Sequence, residues 1–187
     1  MIYVEDDFLD KSLIDFLNNE ESEFQEVVAG DKSFWVKVPS EEFVGLMKSK
    51  IEKIEQNEID VVFSFFREAK ENQDNDWRIH NDSIINGQQP DRAAVLFVSE
   101  NNHEGLNGTA FWKHKVYGYK FPKSTNEEFD RILLEDSNNL DLWNLHSVVG
   151  HEQNRLVSYP CDYFHSKYPN EFKRSRKVFV IFYKVKK

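Results

Sequence analysis

A chain of 187 residues, 40% hydrophobic and 14% aromatic, fits one domain with room for a real core and is too apolar for a disordered tail. Its 24 basic and 33 acidic residues give a net charge of −9, which disfavours nucleic acid duplexes and anionic membranes as partners. The single Cys161 excludes an internal disulfide, and the absence of a signal-peptide pattern or a membrane-length apolar run predicts a reducing, cytoplasmic setting.

Sixteen Phe, seven Tyr and four Trp favour an aromatic-packed, β-rich interior over a helical bundle. In chain order, residues 1–8 predict a short strand and 10–19 a helix. Asp10 is its N-cap, and Leu13, Phe16 and Leu17 form a core-facing stripe. Residues 20–26 are acidic and predict a loop. Residues 33–38 alternate as a strand that Pro39 ends, and Ser40-Glu41-Glu42 opens a second helix carrying Phe43, Leu46, Met47, Ile51 and Ile54. Residues 1–58 thus supply strands and supporting helices, and 59–187 the core of the same domain.

That core opens with an apolar β-run over 59–66, followed by a polar loop over 67–76. Asn86-Gly87 and Pro90 make 83–90 a turn, ahead of strands at 92–98 and 108–115. Residues 116–122 predict a strand continuation or a lid, and 124–134 a helix inserted between strands. Residues 140–151 have no clean period. The last strands fall at 155–159 and 176–185, joined by a turn carrying His165 and Pro169. The covering loops expected at the open end are 83–90 and 116–122.

The chemistry-bearing stretch is Asp76-Trp77-Arg78-Ile79-His80-Asn81-Asp82. Its alternation predicts a strand with His80 and Asp82 on one face, where an imidazole and a carboxylate can reach one metal ion. The best third ligand is His165, in Tyr159-Pro160-Cys161-Asp162-Tyr163-Phe164-His165. Of the other histidines, His103 falls in an Asn-rich turn, while His114, His146 and His151 lie among apolar or aromatic residues and read as satisfied core or surface groups. No His-x-His or His-Glu-x-x-His pattern points to zinc hydrolysis.

The ordered set of His80-x-Asp82, the strand Asp91 to Val98, Gly108-Thr109-Ala110-Phe111, Arg155 to Pro160, His165, and a basic residue opening the final strand resembles the Fe(II)/2-oxoglutarate-dependent dioxygenase superfamily, in its compact prolyl-hydroxylase-like branch. The likeness spans residues 61–183. It implies a double-stranded β-helix, or jelly roll, mostly antiparallel, with helices braced against the larger sheet. It implies Fe(II) held by His80, Asp82 and His165, no catalytic side chain beyond these ligands, and 2-oxoglutarate as cosubstrate, with ascorbate as reductant. Two imidazoles and one carboxylate leave adjacent metal positions open for a chelating keto acid and dioxygen.

Under that resemblance, Arg176 is the residue for the distal carboxylate of 2-oxoglutarate. It opens the apolar run and shares a face with Val178 and Val180, and its planar fork pairs with a carboxylate as Lys177 could not. Arg174, of the same parity, is the fallback. Two positions depart from the family pattern: Val178 stands where many members have Ser, and Phe97 where many have Tyr. The implied reaction hydroxylates a small-molecule or peptide substrate and releases succinate and carbon dioxide. The residues alone leave open a non-catalytic jelly-roll module that binds metal or serves a structural role, and a cupin-like metal enzyme that needs no 2-oxoglutarate.

Overall fold

Strand parity builds the architecture. In the computed structural model, which describes residues 1–20, 23–29, 32–71, 73, 75–85, 87–101, 105–121, 126–171 and 174–186, the last strand is β10 (Arg176–Val185). It turns Arg176, Val178, Val180 and Phe182 to one side and Phe179, Ile181 and Tyr183 to the other. β10 lies between β5 (Arg92–Phe97) and β4 (Ile59–Ala69) in a seven-stranded sheet. The sheet continues from β5 through β8 (Leu156–Pro160) to β1 (Tyr3–Glu5), and from β4 through β3 (Lys32–Lys37) to β2 (Gln25–Ala29). A three-stranded sheet packs across it in the order β7 (Trp143–Gly150), β6 (Gly108–His114), β9 (His165–Tyr168). All of these pairings are antiparallel, so the chain forms a jelly roll.

Three apolar layers hold it together. Helices α1 (Lys11–Asn19) and α2 (Glu41–Glu55) cover the outer face of the large sheet, packing Ile14, Phe43, Met47 and Ile51 on Phe66, Leu96, Phe179 and Ile181. Ser40 caps α2 by accepting the Phe43 amide at 3.2 Å, with Glu41 and Glu42 in the first turn, where acidic groups meet the positive end of the helix. Between the sheets lie Val95, Phe97, Phe111, Val157, Tyr159 and Phe182. The outer face of the small sheet is closed by Ile79, Trp112, Ile132, Trp143 and Phe164, where α3 (Asn126–Arg131) runs into a π-helical turn over Ile132–Asp136. Among the described residues no helix is long and apolar enough to cross a membrane.

Several expectations change. The stretch 76–82 is not a regular strand: Arg78 takes a positive φ of 43°, which breaks the pleat, and only His80 bridges β9. His165 begins β9 instead of riding a turn, and residues 143–150, which lack a clean period, are β7. Residues 25–29, partly inside the expected acidic loop, pair with β3. In α1 the buried residue is Ile14, while Phe16 is 61% exposed, because the helix is rolled by one position from its strongest apolar pattern. Residues 116–118 form a tight turn in which Gly118 (φ 81°) pairs back to His114. Asn86 and residues 122–125, on which turn, lid and helix-start expectations fell, lie outside the described residues.

Gly108 links fold to site. Its φ is 152°, and a Cβ there would fall 2.0 Å from the Val149 carbonyl oxygen and 2.9 Å from the His151 amide nitrogen, both backbone atoms that cannot rotate away. Its own carbonyl accepts a hydrogen bond from Arg176. Gly108→Ala is therefore expected to lower stability by about 3 kcal/mol, read as the shift in the urea unfolding curve.

Candidate metal centre

The irregular stretch 76–82 is held in place by backbone groups. Trp77 and Arg78 donate their amides to Asn138 Oδ1 at 2.9 and 3.0 Å, and Ile79 donates to Ser137 O at 3.0 Å. His80 and His165 exchange both backbone hydrogen bonds, at 3.0 and 2.8 Å, and Asp82 donates its amide to Cys161 O at 2.8 Å. These anchors bring the His80 and His165 rings to 4.5 Å between centroids.

His80, Asp82 and His165 converge as expected, with their ligand atoms all within 4.8 Å of one another. Asp82 Oδ1 lies 3.6 Å from His80 Nε2, and Asp82 Oδ2 lies 3.2 Å from His165 Nε2. The tautomers follow from chemistry. His80 Nδ1 is 2.7 Å from Arg78 O and His165 Nδ1 is 3.0 Å from Tyr163 O. A carbonyl only accepts, so each Nδ1 carries the proton, and a neutral ring presents the Nε2 lone pair toward the carboxylate.

The electrostatics suit cation binding. Burial, helped by the neighbouring His165, pushes His80 down to about 4, so its ring stays neutral. Burial acts against the charged forms of Asp82 and His165, but their mutual attraction outweighs it: Asp82 is lowered and His165 raised from the usual value. The 3.2 Å contact thus favours a proton on His165 and a charge on Asp82, and a cation at the site would compete with that proton.

A cavity of about 160 Å³ opens from the triad between the sheets. Arg176 lines it and is only 9% exposed, with Val178, Val180 and Phe182 on the same face. Its Nη1 donates to Gly108 O at 3.2 Å, and its guanidinium lies 4.9 Å above the Phe97 ring. Phe97, standing where the resembled family often has Tyr, therefore offers a cation–π platform in place of a hydroxyl. Burial, reinforced by the charge of Arg67, brings Arg176 down to about 9. The fallback, Arg174, is exposed, precedes β10 and does not line this cavity, because the strand begins at Arg176.

Sequence reasoning missed Tyr159, Arg67, Thr109, Ser166 and Lys167, which also line the cavity. Tyr159 is 2% exposed and packs 4.6 Å from the His165 ring, and its hydroxyl makes no hydrogen bond among the described residues. Burial, then the charge of Asp82, holds its acidity well below normal, so it stays a donor. Its inward parity with Val157 was the available signal. Arg67 was read as the start of a polar loop, whereas β4 carries on to Ala69.

The remaining histidines and Cys161 lie away from the triad or are tied up in other contacts. His114 Nδ1 accepts the Val116 and Tyr117 amides, and its Nε2 faces Asp136 at 3.4 Å. His151 Nε2 meets Ser99 O at 2.8 Å and stacks on Phe97, and His146 is exposed beside Tyr119. His103 lies outside the described residues. Cys161 is buried, and burial raises its thiol, so it is no thiolate ligand. No described residue of 83–90 or 116–121 lines the cavity; Ile85 packs between the sheets and Tyr117 stacks on His114.

Similar solved structures share this fold. HygX from Streptomyces hygroscopicus, solved with nickel, 2-oxoglutarate and hygromycin B bound, superposes with a TM-score of 0.63 at 11% identity, covering 98% of this chain and 82% of HygX. A Pseudomonas putida prolyl-4-hydroxylase gives a TM-score of 0.58 at 12% identity over 100% of this chain and 93% of that one. A 2OG-Fe(II) oxygenase family oxidoreductase from Burkholderia pseudomallei gives 0.60 at 13% identity, covering 98% and 85%. No protein-family model matches the sequence, and no curated protein is similar to it in sequence.

Because metal binding must expel a proton that Asp82 favours on His165, iron affinity is expected to rise with pH and to level off above the raised His165 value. His165→Ala is expected to weaken iron binding by at least about tenfold and to flatten that pH dependence. Calorimetric titration of Fe(II) under argon, at several pH values, measures both.

Proposed function

We propose that this chain is an Fe(II)- and 2-oxoglutarate-dependent oxygenase that hydroxylates a C–H bond of a small-molecule or peptide substrate. The observation that carries the reading is one cavity holding both halves of the required chemistry: two carbonyl-fixed imidazoles and a carboxylate at one end, and the buried Arg176 in its wall. The donor set fits Fe(II). Two neutral nitrogens and one carboxylate satisfy a divalent ion of intermediate hardness and leave it a net positive charge with open neighbouring positions. HygX, of the same fold, was solved with nickel and 2-oxoglutarate.

Iron and 2-oxoglutarate together supply the oxidation, in which one atom of dioxygen enters succinate as carbon dioxide leaves and the other enters the substrate's C–H bond. The protein positions and shields. His80, Asp82 and His165 would hold the metal, and the Nδ1–carbonyl bonds keep both rings from rotating. Arg176 would pair its fork with the distal carboxylate, with its guanidinium braced by Phe97 and Gly108. The Tyr159 hydroxyl, in the same cavity as Asp82 and Arg176, would be a donor to the keto acid. Val95, Val178, Val180 and Phe182 exclude water from the same space. The lone buried Cys161 fits a reducing, cytoplasmic setting.

Incubation with Fe(II), ascorbate and 2-oxoglutarate in air is expected to give slow succinate release without added substrate. Metallated protein that neither binds 2-oxoglutarate nor forms succinate would return the choice to a non-catalytic jelly roll or a cupin-like enzyme. Arg176→Ala is expected to weaken 2-oxoglutarate binding by about 2 to 4 kcal/mol while leaving the iron titration unchanged, since Arg176 is not one of the candidate metal ligands.

A further inference from the structure

The antiparallel registers divide the inner face of the large sheet into levels. Arg176 stands opposite Ala69 at one end, and Val178 stands opposite Phe97 and Arg67 at the next level. Val180 follows, opposite Val95 and Phe65, and then Phe182, opposite Ala93 and Phe63, with Ala93 opposite Tyr159 on β8. Residues directly opposite on paired strands share a face, so Tyr159, Ala93, Phe182 and Phe63 form one transverse row on the cavity side of the sheet.

Polarity changes along these levels. The arginines that the sheet gives to the cavity stand at the Arg176 end, whereas the levels of Val180 and Phe182 carry apolar side chains and the Tyr159 hydroxyl. The triad adjoins this second half, because the His165 ring packs 4.6 Å from Tyr159. In the function proposed above, 2-oxoglutarate reaches from the metal toward Arg176, which leaves the Phe182 end for the substrate. There the apolar wall runs outward from the cavity: Phe182, 4% exposed, meets Phe65 at 6.4 Å between centroids, and Phe65 meets Phe63 at 5.4 Å. Phe65 and Phe182 line the cavity, while Phe63 is 40% exposed. An exposed aromatic ring continuous with a cavity wall gains by being covered when that cavity fills.

We propose that Phe63, with Phe65 and Phe182 behind it, is the specificity-determining surface for the substrate, and that it receives the uncharged ring body of a hydrophobic small molecule whose reacting carbon lies toward the triad. Calling the ligand a substrate rests on the oxygenase reading; the apolar site itself stands on the register and the rings. Strand spacing sets its size. Neighbouring strands lie about 4.8 Å apart, so Phe63, three strands from Tyr159, is on the order of 14 Å away from it, and a ligand touching both Phe63 and the triad spans on the order of 10 Å, the length of two fused or linked rings. A charged ligand would meet no counter-charge on these two levels of the sheet. A peptide backbone would find only the Tyr159 hydroxyl there, because the ladders consume the strands' own N–H and C=O groups. The occupant is therefore a hydrophobic small molecule and not an extended peptide.

The test uses the full chain, labelled with ¹³C at the valine methyls and loaded with Zn(II) so that nothing turns over, with saturating 2-oxoglutarate. Three uncharged probes are titrated in separate arms: 4-biphenylmethanol, glucose, and the peptide acetyl-tetraalanine amide. Saturable shifts of the Val95 and Val180 methyls, which line the cavity at the level of Phe65, are expected with 4-biphenylmethanol and with neither of the others. Phe63→Ala is expected to weaken that binding about tenfold, the loss of a ring contact and of the area it covers, with 2-oxoglutarate affinity unchanged. Should Phe63→Ala fail to fold, Phe63→Leu takes its place, with a weakening of about threefold because apolar area remains but the ring contact is lost. Absence of saturable shifts, parental affinity in the Phe63 variant, tighter binding of the peptide or of glucose, or a Phe63 loss that falls on 2-oxoglutarate would overturn the proposal. If 2-oxoglutarate itself does not bind, the titration is run without it: saturation that depends on Phe63 would then support the apolar site and remove the oxygenase reading.

Discussion

Two backbone hydrogen bonds, exchanged between His80 and His165 at 3.0 and 2.8 Å, are the contact on which the site depends. They are the only ladder contact of the metal stretch with the small sheet among the described residues, and they set the spacing of the two rings. The neighbouring amides are met by a side chain, a turn carbonyl and the end of β8, so a segment without regular structure is fixed by complete pairing of its polar groups. The positive φ of Arg78 is part of the same device, because Arg78 presents the carbonyl that orients His80.

The two-sheet arrangement turns this local anchoring into a chemical space. A regular strand exposes its two faces alternately, so β10 gives Phe179 and Ile181 to the helices while sending Arg176 into the cavity. Buried among apolar neighbours, that guanidinium is destabilised enough for its acidity to rise, which is the condition under which pairing with a carboxylate is worth most. The helices take no part in the cavity; packing on the outer face, they keep the large sheet from exposing its apolar side to water.

The charge pattern gives the molecule two characters. Acidic groups dominate the composition, while the cavity wall concentrates cations drawn from β4, β9 and β10. These residues lie far apart in the chain, and only the pairing of β4 with β10 and the packing of the small sheet against them bring them to one wall.

The sequence by itself determined the elements whose period is local and strong: the capped helix α2, the strands at 92–97 and 108–114, the alternation of β10, and with it the inward direction of Arg176. It also singled out the candidate ligands, since His80-x-Asp82 and His165 differ from the other histidines in spacing and order. Only the tertiary structure decided that 76–82 is an anchored irregular segment, that Phe16 faces water, that 143–150 is a strand, and that Tyr159 and Arg67 line the cavity beside His80, Asp82 and His165. The reason is physical. Periodicity records which face of an element is buried, whereas the partners of an unpaired amide, the roll of a short helix and the meeting of side chains from separate strands are set by contacts between residues far apart in the chain.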